Sequence, residues 1–171
     1  MILAATYPDL FAAVGVHSAP AYRSAAGGRH ALAAMAGRTA VPLPVAGPGG
    51  PMPPVILFQG TADGTVRGAN GQRVAEQWLA FCGAHITDPR DRDRISRSRT
   101  TAGRTSDGRT YTTTRWYTAR GRTMLEYWQV DGLGHAWSGG AEGGSYSDPR
   151  GPRASTVMWR FFTGRRLPAG S

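Results

Sequence analysis

The sequence predicts an α/β fold, with helices flanking a mostly parallel sheet. PVILFQG, Pro54 to Gly60, is an unbroken apolar and β-branched run, the pattern of a strand buried on both faces. After it, Val74, Trp78 and Phe81 recur at helical spacing within Asn70 to Phe81. Strand and helix patterns then alternate, the order that lays parallel strands side by side through helical crossovers. A chain of 171 residues with 40% apolar content suits one globular domain better than two.

Met1 to Thr6 is apolar and alanine-rich, which favours helix, and Pro8 cannot continue it. Phe11 to Ser18 (FAAVGVHS) reads as a short buried strand, and His30 to Met35 as a helix. Gly37 to Pro54 is a Pro/Gly-rich loop. Asn70 is positioned to cap the helix that follows. Residues 86–109 lack hydrophobic periodicity and read as an Arg-rich irregular insertion. Thr110 to Ala119 and Thr123 to Val130 are expected to be two strands joined by a turn at Arg120-Gly121-Arg122. Ser138 to Pro152 reads as loop. Ala154 to Thr163 closes the chain as a helix burying Val157, Met158, Phe161 and Phe162, with Gly164 as its C-cap.

The net charge of +9 raises the question of nucleic acid. All 20 basic residues are arginine, and ten of them fall between His85 and Arg122. No nucleic-acid motif accompanies them, so a solvated basic loop is the simpler expectation. No apolar run is long enough for a membrane span. MILAATYPDLF has no basic leader and meets Pro8 and Asp9 early, so no signal peptide is expected within this chain. The single Cys82 excludes an intrachain disulfide or a cysteine-built zinc site. Histidine spacing offers no metal motif, and no cofactor is expected.

Two loops carry the chemistry. Asp63, in GTADGTV, follows the PVILF strand; His135, in GLGHAW, follows LEYWQV. Sites in open α/β sheets lie beyond the carboxyl ends of strands, so the two side chains can meet although 72 positions separate them. The carboxylate would take the Nδ1 proton and leave Nε2 as a general base. Each residue has a plainer alternative when taken alone. Asp-Gly is a common turn pair whose carboxylate bonds its own backbone, and a lone loop histidine is often incidental. His17, beside Ser18 at a strand end, lines the site or simply packs. His30 and His85 read as surface residues.

VILFQGTADGTV, LEYWQVDGLGHAWSGG and GSYSDPRGPRASTVMWRFF resemble the C-terminal half of polyhydroxybutyrate depolymerase-type esterases, which are α/β-hydrolases related to feruloyl and acetylxylan esterases. The opening ILAATYPDLFAAVGVHSA is similar to the stretch that follows the nucleophile helix there. The resemblance implies a Ser-Asp-His triad in that chain order, with Asp63 as the acid and His135 as the base. It puts Trp137 at the substrate cleft as a candidate apolar wall, with loop packing as its alternative role. It further implies an ester substrate, either a hydroxyalkanoate polyester or a plant-wall ester, and an extracellular protein. None of the ten serines lies in G-x-S-x-G, and the family's nucleophile falls upstream of Met1. The expectation is therefore a carboxylic-ester hydrolase fragment, residues 1–171 being one partial domain that is inert alone. The alternatives are a non-catalytic binding or assembly module, or an arginine-driven polyanion binder.

Overall fold

The computed structural model describes residues 1–41, 52–84 and 93–167. Its framework is a five-stranded sheet of β1 (Val14–His17), β2 (Val55–Gly60), β3 (Ile95–Arg104), β4 (Thr110–Thr118) and β5 (Thr123–Val130), in the order β1-β2-β5-β4-β3. Among the described residues four α-helices accompany it, α1 (Ile2–Thr6), α2 (Gly28–Met35), α3 (Ala69–Ala84) and α4 (Ala154–Thr163), with a single 3₁₀ turn at Pro8–Leu10.

The fold is mixed α/β, and the expectation of a mostly parallel sheet needs correction. β1, β2 and β5 are parallel neighbours, whereas β4 runs antiparallel to both β5 and β3. The cause lies in the connections. Residues 119–122 and 105–109 are short turns, and a parallel pair needs a crossover of a dozen residues or more.

β2 is the centre of the molecule. Val55, Ile56, Leu57 and Phe58 are all fully buried, because each face of the strand is covered. Val55 and Leu57 join Leu125 and Tyr127 of β5 against Val74, Trp78 and Phe81 of α3. Ile56 and Phe58 join Trp128 and Val130 against Met158 and Phe161 of α4. The alternation along the strands thus feeds two cores, one on each side of the sheet. Trp78 is anchored further by its indole N–H, which donates to the Pro53 carbonyl at 3.0 Å.

The expectation of an irregular 86–109 insertion fails over its second half, where residues 95–104 form β3. The stretch up to residue 92, His85 included, lies outside the described residues, as do residues 42–51 of the Pro/Gly-rich loop. β3 escapes a periodicity reading because it is an edge strand with little to bury. It is held by its backbone ladder to β4, by a Thr100–Thr114 hydroxyl bond of 2.9 Å, and by Arg97 lying over the Tyr117 ring. Its arginines also discourage pairing with further strands.

Two further details differ from expectation. Asn70 lies inside α3, not before it; its buried amide donates to the Met35 carbonyl at 2.8 Å and ties α3 to the end of α2. The stretch expected as loop from Ser138 to Pro152 takes part in two short parallel strands, β6 (Trp137–Ser138) and β7 (Ser147–Asp148). Gly164 does cap α4, but at φ −86°, a conformation open to any residue. No helix among the described residues is long and apolar enough to cross a membrane.

Cys82 closes α3 inside the core, and burial pushes its thiol up to about 12. Thiolate, the reactive form, is then negligible at neutral pH. A thiol reagent at pH 8 should leave Cys82 unmodified until the protein is unfolded. Rapid reaction of the folded chain would show that the end of α3 is open.

Candidate active site

Both chemistry-bearing loops leave the same end of the sheet, from the neighbouring parallel strands β2 and β5. Backbone bonds stitch them together. The Thr61 N–H donates to Val130 O at 3.0 Å and the Ala62 N–H to Leu133 O at 3.1 Å. The Gly132 N–H returns a bond to Thr61 Oγ1 at 2.9 Å. Such stitching makes the relative position of Asp63 and His135 a property of the sheet rather than of two free loops.

Asp63 makes both of the contacts that its two sequence readings called for. Its Oδ1 accepts the backbone N–H groups of Thr65 (2.9 Å) and Val66 (2.8 Å), which closes its own turn. Its Oδ2 lies 2.9 Å from His135 Nδ1. The carboxylate is fully buried, while the imidazole side chain keeps 35% exposure. An ionised carboxylate can only accept, so the Nδ1 proton points at Asp63 and Nε2 is left as the basic nitrogen. No protein group bonds Nε2 among the described residues.

His135 borders an open cleft of about 200 Å³, shared with His17, Ser18, Ala136, Trp137 and Tyr146. Trp137 thus lines a cleft together with His135. It also packs: its ring stacks on His17 at 4.7 Å, and its indole N–H donates to Ser155 Oγ at 3.0 Å. Tyr146 meets the edge of His135 at 6.1 Å between ring centres and was not foreseen. Tyr146 is exposed and has φ +54°, a conformation that no pattern in the sequence marks. His30 is exposed, as expected. A larger hollow of about 610 Å³ opens beside the Asp63 turn but takes none of its lining from the His135 loop. Among the described residues no cluster of His, Cys, Asp or Glu could hold a metal ion.

His17 lies between the Phe58 ring (5.8 Å) and the Trp137 ring (4.7 Å). Burial lowers its pKa from 6.5 to about 4; the Asp63 charge opposes that shift and His135 adds to it. Between those values the unfolded chain binds the proton and the folded one does not. Stability is therefore complete above pH 6.5 and falls as the pH drops toward 4, by about 3 kcal/mol from this residue. Urea midpoints at pH 7 and pH 4.5 should differ more for wild type than for His17→Gln. Equal losses would remove His17 as the source.

Compared with models of known protein families and with curated proteins, the chain matches none.

Proposed function

We propose that Asp63 and His135 are the acid and base of a Ser-Asp-His carboxylic-ester hydrolase. In this reading the sheet is the later part of an α/β-hydrolase domain, and the nucleophilic serine belongs to sequence preceding Met1. The observation that carries the reading is the 2.9 Å contact between buried Asp63 Oδ2 and His135 Nδ1, with Nε2 left for an open cleft. The N-terminal segment adds support. Among the described residues β1 pairs only with β2, and Ile2, Leu3, Tyr7 and Leu10, in the segment before it, are exposed. A free strand edge suits a further strand, and exposed apolar side chains suit a covering element.

The chemistry follows from the tautomer. Nε2 takes the serine proton as the serine oxygen bonds to the ester carbonyl carbon. The tetrahedral adduct then collapses; the alkoxide leaves with the proton from Nε2, and an acyl-enzyme remains. Water loses a proton to the same nitrogen and attacks the acyl carbon. The acid departs and the serine recovers its proton. Donors for the oxyanion also belong to the earlier part of the domain, so residues 1–171 alone are inert toward esters. The resemblance to polyhydroxybutyrate depolymerase-type esterases directs the substrate choice to hydroxyacid polyesters or plant-wall esters, and the setting to the cell exterior.

The test is to read the coding sequence upstream of Met1 in frame and assay the extended protein on p-nitrophenyl butyrate. An in-frame G-x-S-x-G with hydrolysis abolished by His135→Ala is the expected result. An extended frame without that elbow, or hydrolysis indifferent to His135, would overturn the catalytic reading and turn attention to an assembly role for the β1 edge.

A further inference from the structure

The cleft beside His135 holds a second pair of polar side chains that the mechanism above does not use. His17 ends β1 and Ser18 follows it. Ser18 has φ +47°, in the left-handed region that residues other than glycine rarely adopt. Its N–H is bonded to the Phe58 carbonyl at 2.9 Å, so the parallel ladder to β2 is carried one residue past the strand and fixes the serine there.

The protonation of His17 can be deduced from its partners. Nε2 lies 3.2 Å from the backbone N–H of Ser138, a group that can only donate. Nε2 must therefore be bare. A neutral ring then carries its proton on Nδ1, which lies 3.2 Å from Ser18 Oγ. The low pKa of His17, about 4, keeps the ring neutral at pH 7. The direction of the bond follows: His17 Nδ1–H donates and Ser18 Oγ accepts. His17 thus cannot serve as a base toward Ser18. The Ser18 hydroxyl proton is left unspent, with no protein acceptor among the described residues, at a side chain that lines the cleft with His135 and Trp137.

We propose that Ser18 O–H donates a hydrogen bond to an oxygen of the acyl group bound beside His135, and that His17 is the positioning residue that aims it. The identity of the ligand as an acyl group rests on the ester-hydrolase reading. The open cleft, about 200 Å³, has room for a short acyl chain bearing one or two oxygens. The relay runs from Ser138 N–H to His17 Nε2, then from Nδ1–H to Ser18 Oγ, then from O–H to the ligand. Through Ser138 it also ties this donor to the loop that carries His135, because the Ser138 hydroxyl is buried and donates to Pro152 O at 2.7 Å.

Imidazole ¹⁵N spectra of the chain, with 3-hydroxybutyrate and butyrate as probes, test the assignment. His17 should show a protonated Nδ1 and a bare Nε2 at pH 7, and should keep that state in Ser18→Gly and Ser18→Ala. Both variants should bind 3-hydroxybutyrate about five-fold more weakly than wild type, the worth of one neutral hydrogen bond. Glycine suits a positive φ and alanine does not, so equal weakening in both separates the lost hydroxyl from any backbone effect. A protonated His17 Nε2 would overturn the proposal. So would unchanged probe affinity in both variants, and that result would leave the ester-hydrolase reading intact. Failure of wild type to bind either probe would overturn the proposal; the ester-hydrolase reading, which places the oxyanion donors in the earlier part of the domain, stands or falls by the upstream G-x-S-x-G and the His135 dependence of hydrolysis.

Discussion

Asp63→Asn is expected to lower kcat for ester hydrolysis by about 10⁴-fold in the protein that carries the nucleophile, while leaving the fold in place. The two carboxylate oxygens have separate duties, which makes this substitution selective. Asparagine retains an oxygen for the Thr65 and Val66 N–H groups, so the turn survives. Its amide nitrogen replaces Oδ2 opposite His135 Nδ1. An NH₂ group donates, so the imidazole must present a bare Nδ1 and move its proton to Nε2. A protonated Nε2 cannot accept the serine proton. The same change is visible without turnover, as a tautomer switch of His135 in imidazole ¹⁵N spectra of residues 1–171. Asp63→Ala should differ by also destabilising the turn, by about 1–3 kcal/mol, because two backbone donors lose their buried acceptor. If Asp63→Asn kept more than a tenth of the wild-type kcat, the pair would be a structural contact and not a catalytic one.

The sequence made this pair legible because the signal was local on each side. An apolar run stopped by glycine marks a strand end, and a titratable residue a few positions later marks a loop at the sheet's carboxyl edge. What the sequence could not carry was information held between distant backbones. The state of His17 depends on a Ser138 N–H that lies 121 positions away. Tyr146, which meets His135, has a left-handed backbone that the sequence does not announce. β3 failed for a different reason, since an edge strand stabilised by its ladder has no core face to impose a hydrophobic period. Asn70 shows the reverse error: a residue favoured at caps was read as one, but its amide is spent on joining α3 to the end of α2. Local chemistry was readable; tertiary reuse of the same residue types was not.

Gly60→Ala tests whether the stitching of the two loops is what sets the site. A Cβ at position 60 would lie 2.2 Å from the Leu133 carbonyl oxygen and 2.8 Å from its carbon. Neither atom is the end of a flexible side chain, so backbone must retreat by about 1 Å to restore contact distance. The retreating carbonyl is the one that accepts the Ala62 N–H, one residue before Asp63 and two before His135 on the opposite loop. The methyl therefore acts on stability and geometry together. A loss of about 3 kcal/mol is expected from urea unfolding, at the upper end for overpacking because the obstacle is main chain. In the nucleophile-bearing protein a shift of that size should also cost about 10²-fold in kcat. Gly64 supplies the control. It lies in the same loop next to Asp63, yet a Cβ there meets nothing within 4 Å, and its φ is not in the left-handed range. Gly64→Ala should leave stability unchanged within about 0.5 kcal/mol, or raise it slightly by restricting the unfolded chain. Equal penalties at the two positions would mean that the loop resists any side chain. Only a penalty confined to position 60 fits a site whose geometry is held by the close approach of the backbones after β2 and β5.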